Sequence, residues 1–159
     1  MTTLAVSIPP RPRQRAGGGA LPAARTGGDL GYAFSQDGLT VGRESHAAPA
    51  LLPKADQVVA VLAATDVSWH RIVCPKAPPS RLAAALAGVL EEALLDDAGQ
   101  LHFALAPGGK AGERVWVAVT DRAWLAGEIA ALERAGLRVD RVAPEAWPDE
   151  PASGHFTET

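Results

Sequence analysis

The sequence predicts an α+β protein in which residues 57–143 form a ββαββαβ unit with a ferredoxin-like core. Three observations predict this architecture. Short apolar strand signals recur along the chain, and two segments between them carry apolar residues at helical spacing. The third observation is that residues 3–41 show strand signals without a helix, which indicates an incomplete strand subdomain. Hydrophobic residues make up 47% of the 159 residues and charged residues 21%, as in folded globular proteins.

The N-terminal subdomain is predicted to span residues 1–52. Residues 3–8 read as a short buried strand, and Asp37-Gly38 is a turn signal that predicts a β-hairpin over residues 31–41. Residues 9–29 are rich in Pro, Arg, Gly and Ala, which predicts a mobile loop. Its four arginines either contact an acidic partner or anionic lipid, or belong to a variable surface loop. The prolines within residues 42–56 predict a linker that contains the subdomain boundary.

The second subdomain is predicted to span residues 53–147. Pro78 and Pro79 mark the start of its first helix, and Asp121 and Gly136 are the N-cap and the C-terminal stop of its second helix, residues 122–135. The apolar stripe of the first helix is Leu82, Leu86, Val89, Leu90 and Leu94. Residues 148–159 are polar and proline-rich, which predicts a flexible tail. The five predicted strands are residues 57–63, 67–73, 101–106, 114–120 and 137–143.

Known catalytic and ligand-binding patterns are missing from the sequence. The single cysteine, Cys74, allows no intramolecular disulfide and is interpreted as a small core residue. The glycine-rich runs at residues 16–20 and 107–112 lack a following Lys-Ser/Thr and do not open a helix after a strand, so neither predicts a phosphate site. A net charge of -3 gives no general attraction for nucleic acid. We therefore expect no catalytic residue, no cofactor, no metal and no nucleic-acid partner.

Membrane insertion and secretion are also not predicted. The apolar stretches are shorter than the ~20 residues that a membrane-spanning helix needs. The N-terminal apolar run precedes its arginines, whereas a secretory signal peptide places the positive charge first. The sequence thus predicts a soluble, cytoplasmic fragment.

The stretch LEEALLDDAGQLHF, residues 90–103, concentrates four carboxylates: Glu91, Glu92, Asp96 and Asp97. We expect the first helix to continue through them, which places Glu92 and Asp96 on one helical face at the C-terminal end, where negative charge is unfavourable. A metal or acid–base site is not favoured, because His102 lies beyond a turn on a strand. The open alternatives are a solvated acidic edge and an acidic docking edge for a basic partner.

Three segments of the sequence resemble the cytoplasmic region of the type II secretion system protein L family. They are LLPKADQVVAVLAATDVSWHRIVCP, PPSRLAAALAGVLEEALLDDAGQLHFAL and ERVWVAVTDRAWLAGEIAALERAGLRVDRVAPE. The family pattern includes a Leu-Glu-Glu helix, an acidic turn and Leu-His-Phe, and later a Val-x-Asp-Arg strand end. Here residues 119–122 and 135–145 match the later part of the pattern, and the resemblance covers roughly residues 30–147.

The resemblance implies part of an actin-like, ribonuclease H-like architecture that has lost its enzymatic use. It implies a non-enzymatic scaffold at the cytoplasmic face of the bacterial inner membrane. This scaffold would recruit the secretion ATPase, protein E, through the ATPase N-terminal domain, and would bind the inner-membrane protein M and other platform proteins.

Several points stay open after this resemblance. Family members continue through a second lobe, a membrane helix and a periplasmic domain, so we expect a truncated form that reaches the membrane only through the missing C-terminal part. A homodimer is allowed. The alternatives are an actin-like nucleotide-hydrolysing domain, a scaffold like the pilus-assembly protein M, and a free-standing small-molecule binder.

Overall fold

The computed structural model describes residues 1–12 and 28–148. Within these ranges the chain divides into two compact units. The first comprises residues 1–66 and 123–145, and the second comprises residues 67–122 together with the segment that begins at Ala146. The strands and helices are β1 (Thr3–Ile8), β2 (Leu30–Ser35), β3 (Arg43–Ala47), β4 (Gln57–Leu62), β5 (Ser68–Val73), α1 (Pro79–Leu90), β6 (Leu101–Leu105), β7 (Arg114–Asp121), α2 (Arg122–Arg134) and β8 (Arg141–Pro144).

The first unit contains a five-stranded mixed sheet in the order β3-β2-β1-β4-β8. β1, β2 and β3 pair antiparallel, whereas β4 pairs parallel with β1 and β8 pairs parallel with β4. Val58, Val59 and Ala60 are consecutive buried residues of β4, as expected for a parallel strand in the interior of a sheet that is covered on both faces. On α2, Leu125 and Leu132 are the buried residues.

A Schellman motif ends α2. Gly136 has φ +90°, its N–H donates to the carbonyl of Glu133 at 3.0 Å, and the N–H of Leu137 donates to the carbonyl of Leu132 at 3.0 Å. Leu132 and Leu137 are both buried, which supplies the apolar contact that usually accompanies this motif. The predicted stop at Gly136 is therefore confirmed.

The second unit contains a three-stranded antiparallel sheet in the order β5-β7-β6. The helix α1 supplies Leu86 and Leu90 to its core, where they join Leu101 of β6 and Val117 and Val119 of β7. Cys74 is a free cysteine that is 5% exposed, which confirms its interpretation as a core residue.

The predicted α+β class is confirmed, but the single ββαββαβ sheet is wrong. The predicted elements occur in that order, yet β4 and β8 pair within the first unit, while β5, β6 and β7 form a sheet of their own. The two units divide after residue 66 and near residues 122 and 145, whereas the predicted subdomain boundary lies between residues 52 and 53. Because β4 pairs with β1 and β8 pairs with β4, these two strands of the predicted second subdomain belong to the sheet of the first unit.

The predicted hairpin and linker are also corrected. The turn at Asp37-Gly38 lies where it was predicted, but the returning strand is β3, inside the predicted linker, and not residues 39–41. β3 lies at the edge of the sheet, and four of its five residues are exposed, so it carries no apolar alternation that could reveal it. Most of the predicted mobile loop, residues 13–27, and all but the first residue of the predicted tail, residues 149–159, lie outside the described residues.

No helix among residues 1–12 and 28–148 is long and apolar enough to cross a membrane.

Candidate docking surface

The four predicted carboxylates lie in the connection between α1 and β6. α1 ends at Leu90, four residues before Leu94, the last residue of its predicted apolar stripe. Glu91–Ala93 then form a 3-10 turn. Asp96 lies in a bend, and a second 3-10 turn, Ala98–Gln100, leads into β6. The expectation that Glu92 and Asp96 share a helical face is therefore wrong, because no helix continues beneath Asp96. We refer to residues 91–97 as the acidic segment.

The backbone of the acidic segment is fixed at both ends. At its start, the N–H of Leu94 donates to the carbonyl of Leu90 at 3.1 Å, and Leu94 packs against the core of the second unit. At its end, the Asp97 carboxylate accepts the N–H of Gly99 at 2.9 Å, and the Asp97 carbonyl accepts the N–H of Gln100 at 2.9 Å. These bonds hold the backbone at the two ends of the segment, which reduces the backbone entropy that a partner would have to remove.

The side chains of Glu91, Glu92, Asp96 and Asp97 are all exposed. Asp97 differs from the other three because its carboxylate caps the second 3-10 turn, a local structural role. The segment therefore presents four carboxylates to solvent, one of which, that of Asp97, also holds a turn.

Leu95 is the residue that sequence reasoning missed. It is completely exposed, at 105% of the reference value, and in the sequence it directly precedes Asp96 and follows Glu92 by three residues. The neighbouring Leu94 is partly buried against the core. The adjacent pair Leu94-Leu95 was the available signal, because once a helix has ended two consecutive side chains diverge and only one can reach the core. The segment thus combines one fully exposed leucine with four exposed carboxylates.

The structure brings no metal-binding group together in the part of the chain that it describes. No cluster of three or more His, Cys, Asp or Glu side chains occurs among those residues. His102 is exposed on β6, His46 lies on β3, and His70 on β5 has its Nε2 3.2 Å from the Ser68 hydroxyl. Residues 107–112 connect β6 to β7, as the predicted hairpin loop, whereas the other glycine-rich run, residues 16–20, lies outside the described residues.

The connection that leaves β1 begins with Pro9, Pro10, Arg11 and Pro12. Proline has no backbone N–H, so three of these four residues cannot donate a backbone hydrogen bond. The remaining residue, Arg11, has a backbone N–H, and this N–H donates to the Asp66 carboxylate at 2.9 Å. A phosphate loop binds its ligand through successive backbone N–H groups, and these four residues have none to offer.

Two solved structures are similar to the chain in fold. One is the cytoplasmic domain of EpsL, an inner membrane component of the type II secretion system of Vibrio cholerae, with a TM-score of 0.63 and 22% identity over 91% of this chain and 57% of that chain. The other is the PilM-PilN type IV pilus biogenesis complex, with a TM-score of 0.54 and 19% identity over 90% of this chain and 47% of that chain. These matches confirm the actin-like fold, and the chain spans about half the length of the solved chains it matches.

Sequence comparisons give one family. No individual curated protein sequence matches the chain. The family model for the type II secretion system (T2SS), protein L, matches residues 36–148, which is more than half of the chain and contains the acidic segment, α1 and the whole three-stranded sheet. The chain belongs to the type II secretion system protein L family.

Proposed function

We propose that this component of the type II secretion system is a non-enzymatic scaffold that recruits the secretion ATPase to the inner-membrane platform for protein export. Family membership supports a role in protein export, and the likeness to the cytoplasmic domain of EpsL supports a place at the cytoplasmic face of the inner membrane. The partners proposed with it are the N-terminal domain of the ATPase, the inner-membrane protein M and other platform proteins, with a homodimer as a further option.

The observation that carries the non-enzymatic part of the proposal is the run of prolines after β1. In actin-like ATPases a phosphate loop follows the first strand. Here Pro9, Pro10 and Pro12 remove backbone donors at that place, and the Arg11 N–H is already engaged by Asp66. The described start of this connection therefore suits a surface that no longer holds a nucleotide.

The acidic segment is the docking surface that we propose for the ATPase. Leu95 would enter an apolar pocket of the partner, while Glu91, Glu92 and Asp96 would face basic side chains around that pocket. Buried apolar anchors supply most of the affinity in such contacts, and charges at the rim chiefly raise the association rate and select the partner. Asp97 would contribute indirectly, through the turn that it caps.

Isothermal titration calorimetry of the chain against the N-terminal domain of its cognate ATPase tests the proposal. We expect Leu95→Ala and the double variant Glu92→Lys, Asp96→Lys each to weaken binding about tenfold or more. The charge-reversed variant should also lose most of the salt dependence, whereas Leu95→Ala should keep it.

The matched control is Glu44→Lys, Glu133→Lys, which makes the same change in net charge at exposed positions of the first unit. It should bind within about twofold of the parent chain. Equal losses in both double variants would assign the effect to net charge and remove the acidic segment from the interface. A parent chain that does not bind the ATPase domain would contradict the recruiting role itself.

A scaffold like the pilus-assembly protein M is the second candidate, and the fold likeness to the PilM-PilN complex favours it. The two candidates differ in partner, because such a scaffold would bind a pilus platform protein in place of the secretion ATPase. The same calorimetric measurement with each partner separates them.

A further inference from the structure

The three-stranded sheet of the second unit has a second face, which α1 does not cover. Residues that pair across neighbouring strands point to the same side of a sheet. The core residues Val117 and Val119 pair with His70 and Ser68 on β5, so those positions face α1. The intervening positions define what we call the open face: Trp69, Arg71 and Val73 on β5, and Arg114, Trp116 and Ala118 on β7.

The open face is apolar and aromatic, although much of it is exposed. Val73 is 55% exposed, and Trp69 and Trp116 are half-buried. Ala118 lies directly opposite Trp69 on one side and opposite Ala104 of β6 on the other, so two small side chains adjoin the two tryptophans. This arrangement places small side chains beside aromatic rings, a kind of surface that takes up apolar or proline side chains.

A side chain from another segment of the same chain already packs on the open face. Trp147, in the segment that follows β8, packs edge-on against Trp69 with ring centroids 4.9 Å apart and an interplanar angle of 63°. Trp147 is still 47% exposed and is followed by Pro148. The Trp147 contact thus shows that the open face can accommodate an aromatic side chain.

The charges of the open face are of one sign. Arg114 and Arg71 lie on it, with His102 on β6 at its margin. Arg71 is already engaged, with its guanidinium carbon 5.8 Å from the centre of the Trp116 ring. The one carboxylate of these three strands, Asp121, pairs with Leu101 and so lies on the side of α1. In a chain with a net charge of -3, the strand positions that define the open face therefore include two arginines and no carboxylate.

We infer that the open face binds an extended acidic segment of a partner protein that carries tryptophan or proline. An apolar side chain of that segment would sit over Ala118 between Trp69 and Trp116, and its carboxylates would meet Arg114 and His102. Two arginines are too few for the multiple phosphate contacts of nucleic acid or for attachment to an anionic membrane, so a peptide suits the surface better. The open face lies on the opposite side of the sheet from α1 and makes a site separate from the acidic segment.

Titration of the isotopically labelled chain with the synthetic peptide Asp-Glu-Pro-Trp-Pro-Asp-Glu, followed by NMR, tests this inference. We expect the indole signals of Trp69 and Trp116 to shift, while that of Trp124 on α2, in the first unit, stays unchanged as an internal reference. Arg114→Glu should weaken binding at least tenfold. Arg81→Glu, the same charge change at an exposed position of α1, should leave binding within about twofold.

Four results would overturn the inference: no binding of the acidic peptide, equal binding of the peptide with lysine in place of its acidic residues, equal losses in the two arginine variants, or shifts that leave Trp69 and Trp116 unaffected. Tighter binding to phosphatidylserine vesicles or to single-stranded RNA than to the peptide would assign the open face to those ligands instead. None of these results bears on ATPase binding at the acidic segment.

Discussion

At the scale of single residues, Asp37 shows how one carboxylate organises a loop. Its Oδ1 atom accepts the N–H groups of Thr40 and Leu39, each at 2.8 Å, and its Oδ2 atom accepts the Thr40 hydroxyl at 2.8 Å. The Ser35 hydroxyl donates to Oδ1 at 2.9 Å and accepts the N–H of Gly38. These bonds, chiefly that from the Thr40 N–H, lower the pKa of Asp37 well below its ordinary value.

This lowered pKa predicts a pH dependence of stability. Because the pKa of Asp37 is lower in the folded chain than in the unfolded chain, where it is about 3.9, the ionised carboxylate stabilises the fold above about pH 4. That contribution is lost as the pH falls further, toward the folded-state value. We expect Asp37→Asn to lower the melting temperature at pH 7 and to reduce the further drop between pH 7 and pH 3, both measured by circular dichroism.

Asp96→Asn is the control for Asp37→Asn, since Asp96 is likewise exposed but lies in the acidic segment of the other unit. It should melt with the pH dependence of the parent chain. An Asp37→Asn variant that loses as many degrees between pH 7 and pH 3 as the parent would show that the loop bonds do not favour the ionised form.

Residue-level predictions from sequence succeeded where the signal was local. The turn at Asp37-Gly38, the buried Cys74 and the stop at Gly136 each depend on a few neighbouring residues, and each is confirmed. The exposed Leu95 was missed because its exposure depends on where α1 ends. The apolar stripe alone suggested that the helix continued to Leu94, whereas α1 ends at Leu90.

At the scale of elements, Gly88 inside α1 and Gly136 after the end of α2 have different reasons to be there. Gly88 lies inside α1, is exposed, and would place an added Cβ atom in open space. It therefore does not serve the close packing on a sheet that its position in the helix could suggest. Gly136 also has open space around it, but its φ of +90° is a conformation that side chains with a Cβ atom rarely adopt.

The same substitution should therefore have opposite effects at these two positions. Gly88→Ala should raise the free energy of unfolding by about 0.5–1 kcal/mol, because alanine loses less backbone entropy than glycine in a helix. Gly136→Ala should lower it by about 1 kcal/mol, because the left-handed conformation is strained for alanine. Urea denaturation measures both, and unchanged slopes with denaturant would show that the midpoint shifts report stability.

Since both variants add one methyl group without a steric contact, the comparison isolates the backbone conformation. A loss of stability in Gly88→Ala would indicate that the exposed side of α1 is covered in solution. An unchanged Gly136→Ala would indicate that the end of α2 adjusts to another cap. Both boundaries of α2 and the start of α1 were predictable to within a residue or so, because caps and first-turn prolines are local signals, whereas the end of α1 at Leu90 was not.

At the scale of the whole molecule, the assignment of strands to sheets was not predictable from the sequence. β1 pairs with β4 across more than fifty residues, and β4 pairs with β8 across about eighty, so no turn or short connection specifies either pair. The apolar character of β4 indicates a buried strand but does not indicate its neighbours. By contrast, the sequence does predict that the carboxylates of the acidic segment lie close together, because they are neighbours in the chain. Their orientation could not be predicted, because it depends on where α1 ends.

The proposed loss of nucleotide binding concerns the chain as a whole, and it yields the last prediction. A ligand at a hundred times its dissociation constant stabilises a protein by about 2.7 kcal/mol, which raises the melting temperature of a domain of this size by roughly 5–10 °C. With Pro9, Pro10 and Pro12 where backbone donors would be needed, we expect 5 mM ATP with magnesium to leave the melting temperature within about 1 °C of that with magnesium alone.

An actin-like ATPase that retains an acidic phosphate loop, measured in the same buffer, is the positive control and should melt several degrees higher with the nucleotide. The two halves of the scaffold proposal can then be judged separately. A rise with ATP in this chain would contradict the non-enzymatic half, even if the ATPase domain binds at Leu95. The scaffold proposal requires two results together: ATP leaves the melting temperature unchanged, and the ATPase domain binds. This is the outcome expected of a fold that is retained for its surfaces and not for a nucleotide site.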